Sequence, residues 1–199
     1  MKSPWNSVLP QHYVDKWNEI HTKINDTTIS LPRNIGRGNE KTGKSTLWIF
    51  ADASQLATVF CAYVTHLPNH HTDGLLCAKA RLAPLKRKLS IPRLELIAIL
   101  ISLRLAKTIL HSLHIVNDSE IALAWLQLSR KLLVFVSIQV DRIHKLTRQI
   151  QELSITLNFK YIKSAHNPAD IATRPTDKEQ FRTSDWLTGP QWLQIPEPQ

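Results

Sequence analysis

Between Thr46 and Ala80 the apolar residues come in short, nearly unbroken runs rather than at helical spacing, which predicts strands. The first run, Thr46-Leu47-Trp48-Ile49-Phe50-Ala51-Asp52, reads as a buried strand ending on a carboxylate. Thr58 to Thr65 reads as a second strand and Leu75 to Ala80 as a third, with the Asp73-Gly74 step as the turn between them. Pro92, at a first-turn position, opens a long helix to about Leu110. His114 to Asn117 forms a short fourth strand, followed by a helix from Ser119 to about Leu128. Leu133 to Leu153 is a long helix with Val136, Val140, Ile143, Leu146 and Ile150 on one face. Thr156 to Ile162 is a fifth strand, and Asn167-Pro168-Ala169-Asp170 starts a short last helix. Three strands followed by this alternation give an α/β domain, a five-stranded mixed sheet flanked by helices.

The flanks have a different texture. Tyr13 to Ile24 has apolar residues at helical spacing, and Gly36, Gly38 and Gly43 mark a linker. The expected organisation is a connector helix and linker over 1–45, the α/β domain over 46–176 and a tail over 177–199. The tail, from Pro175 on, carries Trp186 and Trp192 but no clear element, and the chain has no internal repeat.

Composition narrows the class. The 199 residues are 43% hydrophobic and 21% charged, which excludes a disordered or collagen-like chain. Two cysteines, Cys61 and Cys77, are too few for a disulfide scaffold or a cysteine-built zinc site. Both lie in strand-like runs and read as reduced core thiols, so an intracellular setting is expected, with cytoplasm and nucleus both open. The N-terminus lacks the apolar stretch of a secretory signal. The most apolar segment, Leu94 to Leu103, contains Glu95, ends at Arg104 and is too short to span a bilayer. Lys and Arg number 25 against 16 Asp and Glu, a net charge of +9, which favours a polyanionic partner such as nucleic acid.

One motif match is misleading. Gly38-Asn39-Glu40-Lys41-Thr42-Gly43-Lys44-Ser45 has the letters of a P-loop. That loop works only where a helix N-terminus follows and offers free N–H groups to phosphate. Here a β-rich run follows, so nucleotide-triphosphate chemistry is not expected.

Four carboxylates meet apolar elements: Asp52 at the end of the first strand, Glu95 one turn into an apolar helix, Asp118 after the fourth strand, and Asp170 at the last helix. Each has a plainer reading. Asp52 can cap a turn, Asp118 a helix, and Asp170 can complement a helix dipole behind an Asn167 cap. Glu95 can pair with Arg93 or Arg104, although burying a carboxylate among Leu94, Leu96 and Ile97 is costly without a cation or donors. Taken together they say more. Adjacent strands ending in Asp bring carboxylates side by side at the carboxyl edge, where α/β sheets place ligands. Such a cluster repels itself unless hard cations sit within it, and paired Mg²⁺ ions suit phosphodiester cleavage.

The local strings point to a family. Phe50-Ala51-Asp52-Ala53-Ser54, Lys79-Ala80-Arg81-Leu82-Ala83-Pro84-Leu85, Ile91-Pro92-Arg93-Leu94-Glu95-Leu96, Asp118-Ser119 with Ala124-Trp125-Leu126, and Asn167 to Arg174 resemble the ribonuclease H-like region of Bel/Pao-type LTR retrotransposon polyproteins. The resemblance extends to Gly189-Pro190-Gln191-Trp192-Leu193, and the Leu9-to-Trp17 helix with Ile29 to Arg33 looks like the connector after a reverse transcriptase. It implies a ribonuclease H fold and Mg²⁺-dependent endonucleolytic hydrolysis of RNA in an RNA/DNA hybrid, with Mn²⁺ as the other candidate ion. Asp52, Glu95, Asp118 and Asp170 would be the catalytic metal ligands. Asp52 would bridge two ions, Glu95 and Asp118 would complete one, and Asp170 would hold the second. Ser54 and Ser119 would contact the hybrid backbone, and Lys79, Arg81, Lys86, Arg87, Lys88 and Arg93 its phosphates, although such a basic run is also what a solvated face looks like. His166 lies where related enzymes carry a histidine that helps product release; a surface loop histidine is the plainer reading. The sequence departs from the family in the short connection from His111 to Asn117, and it carries no polymerase, protease or integrase segment. The alternative is therefore a catalytically inactive, nucleic-acid-binding retrotransposon remnant of the same fold.

Overall fold

The computed structural model describes residues 6–25, 28–30, 45–66, 71–84, 88–106, 112–128 and 132–194. Helix α1 (Gln11–Ile24) precedes a five-stranded sheet built from β1 (Ser45–Ala53), β2 (Ala57–His66), β3 (His71–Leu82), β4 (Ser112–Asn117) and β5 (Thr156–Tyr161). Helix α2 (Ile91–Ala106) links β3 to β4, and α3 (Glu120–Gln127) and α4 (Val134–Gln151) link β4 to β5. The strand order is β3-β2-β1-β4-β5. The first three strands are antiparallel, while β4 and β5 run parallel to β1.

The apolar runs explain why β1 is central. Both of its faces are buried, so it reads as continuous rather than alternating hydrophobicity. Leu47 and Ile49 meet α2 and α4 on one side, through Leu96, Ile99, Leu103, Val140 and Ile143. Trp48 and Phe50 point to the other side, where they meet Tyr63, Val116, Trp186 and Leu193. The connection into β4 is short, yet all six residues of β4 pair with β1, from Thr46 opposite Ser112 to Ala51 opposite Asn117.

Three expectations need correction. Asp73-Gly74 is not a turn between strands, because β3 already starts at His71. Gly74 instead lies beside a register shift opposite Tyr63 and Thr65, at φ +91°. A β-carbon there would sit 2.6 Å from the Leu187 carbonyl oxygen. Asp170 starts a 3-10 turn (Asp170–Ala172), not an α-helix; Asn167 makes a local turn by accepting from the Ala169 N–H. The tail does have elements: α5 (Lys178–Thr183), capped by Asp177 and Gln180, and a 3-10 turn at Gln191–Gln194. Trp186 and Leu193 are buried against the sheet, and the Tyr63 hydroxyl donates to the Trp186 carbonyl at 2.8 Å. The P-loop letters from Gly38 to Lys44 lie outside the described residues, and Ser45, their last position, begins a strand.

Candidate metal centre

The β1–β4 register places the site. Ala51 is opposite Asn117, so the next residues, Asp52 and Asp118, come abreast at the carboxyl edge of two parallel strands. Helix α2 starts nearby, held by Arg93 and Leu94 N–H bonds to the Ser90 carbonyl, and carries Glu95 in from the helical side. One carboxylate oxygen from each of Asp52, Glu95 and Asp118 lies within 4.8 Å of the others.

Glu95 is 3% exposed and makes no ion pair with Arg93 or Arg104. Its Oε1 accepts from the Ala53 N–H at 2.9 Å and its Oε2 from the Asn117 side chain at 2.8 Å. Neutral donors hold the carboxylate without cancelling its charge. Asn117 also donates to the Ala51 carbonyl at 3.0 Å, which takes a second bond from Asn167. The Asn117 side-chain oxygen accepts from the Ser119 N–H at 3.0 Å. Ser119, not Asp118, caps α3 by accepting from the Ala122 N–H. Likewise Ser54, not Asp52, organises the turn into β2, accepting from Leu56 and Ala57 and donating to the Thr173 carbonyl.

The Asp52 carboxylate takes the Thr173 hydroxyl at 2.6 Å, and Asp118 takes the Ser164 hydroxyl. Burial, with the charges of Asp118 and Asp170, pushes the Asp52 carboxyl up from 3.8 to about 6 against the Thr173 bond. Burial and then Asp52 push Glu95 up from 4.5 to about 9. Asp170 is also raised, by burial and Asp118, against the pull of Arg174. It stands outside the three-carboxylate group and pairs with Arg174.

These residues fit a hard divalent cation. The donors are all carboxylate oxygens, the set that Mg²⁺, Mn²⁺ and Ca²⁺ favour. Burial first, and the neighbouring carboxylates after it, drive Asp52 and Glu95 toward their protonated forms, a cost that a bound cation would offset.

The basic residues are spread out. Lys79 and Arg81 project from β3 and Lys88 from the segment before α2, all exposed. The Arg93 guanidinium lies over the Phe135 ring, 5.6 Å from its centre. Lys86 and Arg87 fall outside the described residues. His166 is exposed and borders a cavity of about 330 Å³ with Lys160, Tyr161 and Trp192. Sequence reasoning gave no role to Asn117, Ser164 or Thr173, and gave Asn167 only that of a helix cap. All four are neutral, and only their place beside the acids signals them.

Several solved structures are similar at low identity. The N-terminal ribonuclease H domain of a Mycobacterium tuberculosis protein, solved as a fusion with maltose binding protein, aligns with a TM-score of 0.49 and 16% identity over 64% of this chain and 89% of that one. Ribonuclease H1 from Halobacterium salinarum gives 0.47 and 11% over 64% and 92%. LC11-RNase H1, solved in complex with an RNA/DNA hybrid, gives 0.41 and 15% over 64% and 91%. No curated protein matches the sequence. The model of the Pao retrotransposon-like RNaseH-like domain matches residues 1–126, a span that holds Asp52, Glu95 and Asp118. The chain belongs to the Pao retrotransposon-like RNaseH-like domain family.

Proposed function

We propose that the protein is a divalent-metal-dependent nuclease that cleaves the RNA strand of RNA/DNA hybrids internally. The observation that carries this reading is the meeting of Asp52, Glu95 and Asp118 within 4.8 Å at the sheet edge, in a chain of this family. Two Mg²⁺ ions, or Mn²⁺ in their place, would supply a polarised water and stabilisation of the leaving oxygen. Asp52 would serve both ions, Glu95 and Asp118 one, and Asp170 the other. Asn117 and the Ala53 N–H fix the Glu95 carboxylate, and Thr173 fixes Asp52. To join the other carboxylates, Asp170 would have to leave its Arg174 partner. Ser54 and Ser119 flank the acids and meet the hybrid backbone, and Lys79, Arg81, Lys86, Arg87, Lys88 and Arg93 meet its phosphates.

One feature favours the second reading, a derivative that binds nucleic acid without cutting it: Asp170 is paired with Arg174 and lies outside the carboxylate group. A hybrid-cleavage assay with Mg²⁺, run beside Asp52→Asn, separates the two. Cleavage by the parent protein alone supports the nuclease; salt-sensitive binding by both without cleavage supports the derivative.

A further inference from the structure

On the helical face of the sheet, β3 and α2 enclose a cavity of about 470 Å³. Lys79, Arg81 and Arg104 line it together with Phe60, Ile101 and Leu105, and among the described residues no acidic one does. Among the described residues none of these three cations forms an ion pair. Lysines on an edge strand commonly serve to block strand-to-strand association, and β3 is an edge. That explains Lys79 and Arg81 but not Arg104, which enters the same space from α2. An apolar floor with a few convergent charges, at this volume, is the form of a small-ligand site.

The register fixes where the cavity lies. Ala53, Thr58 and Arg81 form one row across β1, β2 and β3, and Ala51, Phe60 and Lys79 form another. Asp52 sits on the row between them, its backbone two strand spacings from both cations, about 10 Å, with its side chain on the opposite face of the sheet.

We propose that this cavity binds one nucleoside phosphate, with the base or sugar against Phe60, Ile101 and Leu105 and the phosphate between Lys79, Arg81 and Arg104. The occupant is a nucleotide of a strand that flanks the carboxylates, or a free mononucleotide. The strand form rests on the nucleic-acid reading above; the pocket itself does not.

The test is binding of the full chain in chelator, so that the carboxylates hold no metal and no cleavage occurs. The probes are ADP and a labelled single-stranded RNA, and the variants are Lys79→Gln/Arg81→Gln/Arg104→Gln and Asp52→Asn. The expected result is that ADP binds, the triple variant loses that binding at least tenfold while keeping its thermal midpoint, and Asp52→Asn binds as the parent does. RNA displaced by ADP assigns the occupant to a strand; ADP binding without RNA assigns it to a free nucleotide. If RNA binds at this site, losing its one phosphate contact lowers the salt slope by about 0.7. Unchanged ADP binding in the triple variant overturns the site. So does failure of ADP to bind, even if RNA binding drops, because that leaves only a diffuse charged surface. Failure of the parent protein to cleave a hybrid in a separate assay with Mg²⁺, with intact ADP binding, would count against the nuclease and not against the pocket.

Discussion

Thr173 gives its hydroxyl to Asp52 at 2.6 Å, so a residue that follows the Asp170 turn holds the carboxylate at the end of β1. The two lie 121 positions apart, and Thr173 is 2% exposed. Thr173→Val removes the donor and leaves a buried carboxylate oxygen unpaired. Its expected cost is about 1.5–3 kcal/mol of unfolding free energy, with a fall in metal affinity. Thr173→Ser should restore both. Denaturant unfolding and calorimetric Mn²⁺ titration of the two variants check this.

Asn117 is fully buried and ties Glu95, Ala51 and Ser119 together. Asn117→Ala orphans several buried groups and is expected to cost about 3 kcal/mol or more. Asn117→Asp adds a further negative charge beside Glu95. It is expected to unfold more easily in chelator and to recover much of the loss when Mg²⁺ is added. A wild-type-like midpoint for Asn117→Asp in chelator would remove the network from its supporting role.

The carboxyl shifts set a pH dependence. Folded Asp52 and Glu95 hold their protons more tightly than the unfolded chain does, at about 6 against 3.8 and about 9 against 4.5. Their contribution is fully present below about pH 4 and is lost as pH rises through 6 and then 9. In chelator, Asp52→Asn therefore gains stability relative to the parent as pH rises from 5 to 9, and Mg²⁺ shrinks that gain. Thermal midpoints of both proteins across this range, with and without Mg²⁺, give the comparison.

The tail is bound to the sheet through a glycine. Gly74 has φ +91°, its would-be β-carbon lies 2.6 Å from the Leu187 oxygen, and the next N–H, from Leu75, donates to that same oxygen at 2.9 Å. Gly74→Ala combines an unfavourable backbone angle with a clash and is expected to cost about 2 kcal/mol or more. Chemical denaturation measures it directly; a neutral result would mean that the tail can shift at no cost.

Much of the centre was legible because its acids break an apolar pattern. Asp52 ends a buried run, Glu95 interrupts a helix of Leu and Ile, and strand β4 delivers Asp118, so residue type and position coincided. The five-stranded mixed sheet followed from three runs that precede a helix; its order came from the structure, where β4 pairs with β1 despite its short connection. What escaped was tertiary. Thr173 and Asn117 look like ordinary polar residues until the register brings them to Asp52 and Glu95. Gly74 after Asp73 has turn letters, but the long β3 pairing uses it at a register shift. The tail's capping box, Asp177 with Gln180, was readable from its spacing; its docking was not, since Trp186 and Leu193 are too sparse to show a period.

The most direct measurement is cleavage of a uniformly paired RNA/DNA hybrid, labelled on the RNA strand, by purified folded protein with Mg²⁺ and with chelator. Asp52→Asn and Glu95→Gln run alongside, with the RNA strand alone as substrate control. The expected result is internal cleavage of the hybridised RNA that needs Mg²⁺ and falls by about 10² or more in either variant, the loss expected when a key transition-state contact is removed. Folded protein that binds the hybrid but leaves its RNA intact at every Mg²⁺ and Mn²⁺ concentration would contradict the nuclease.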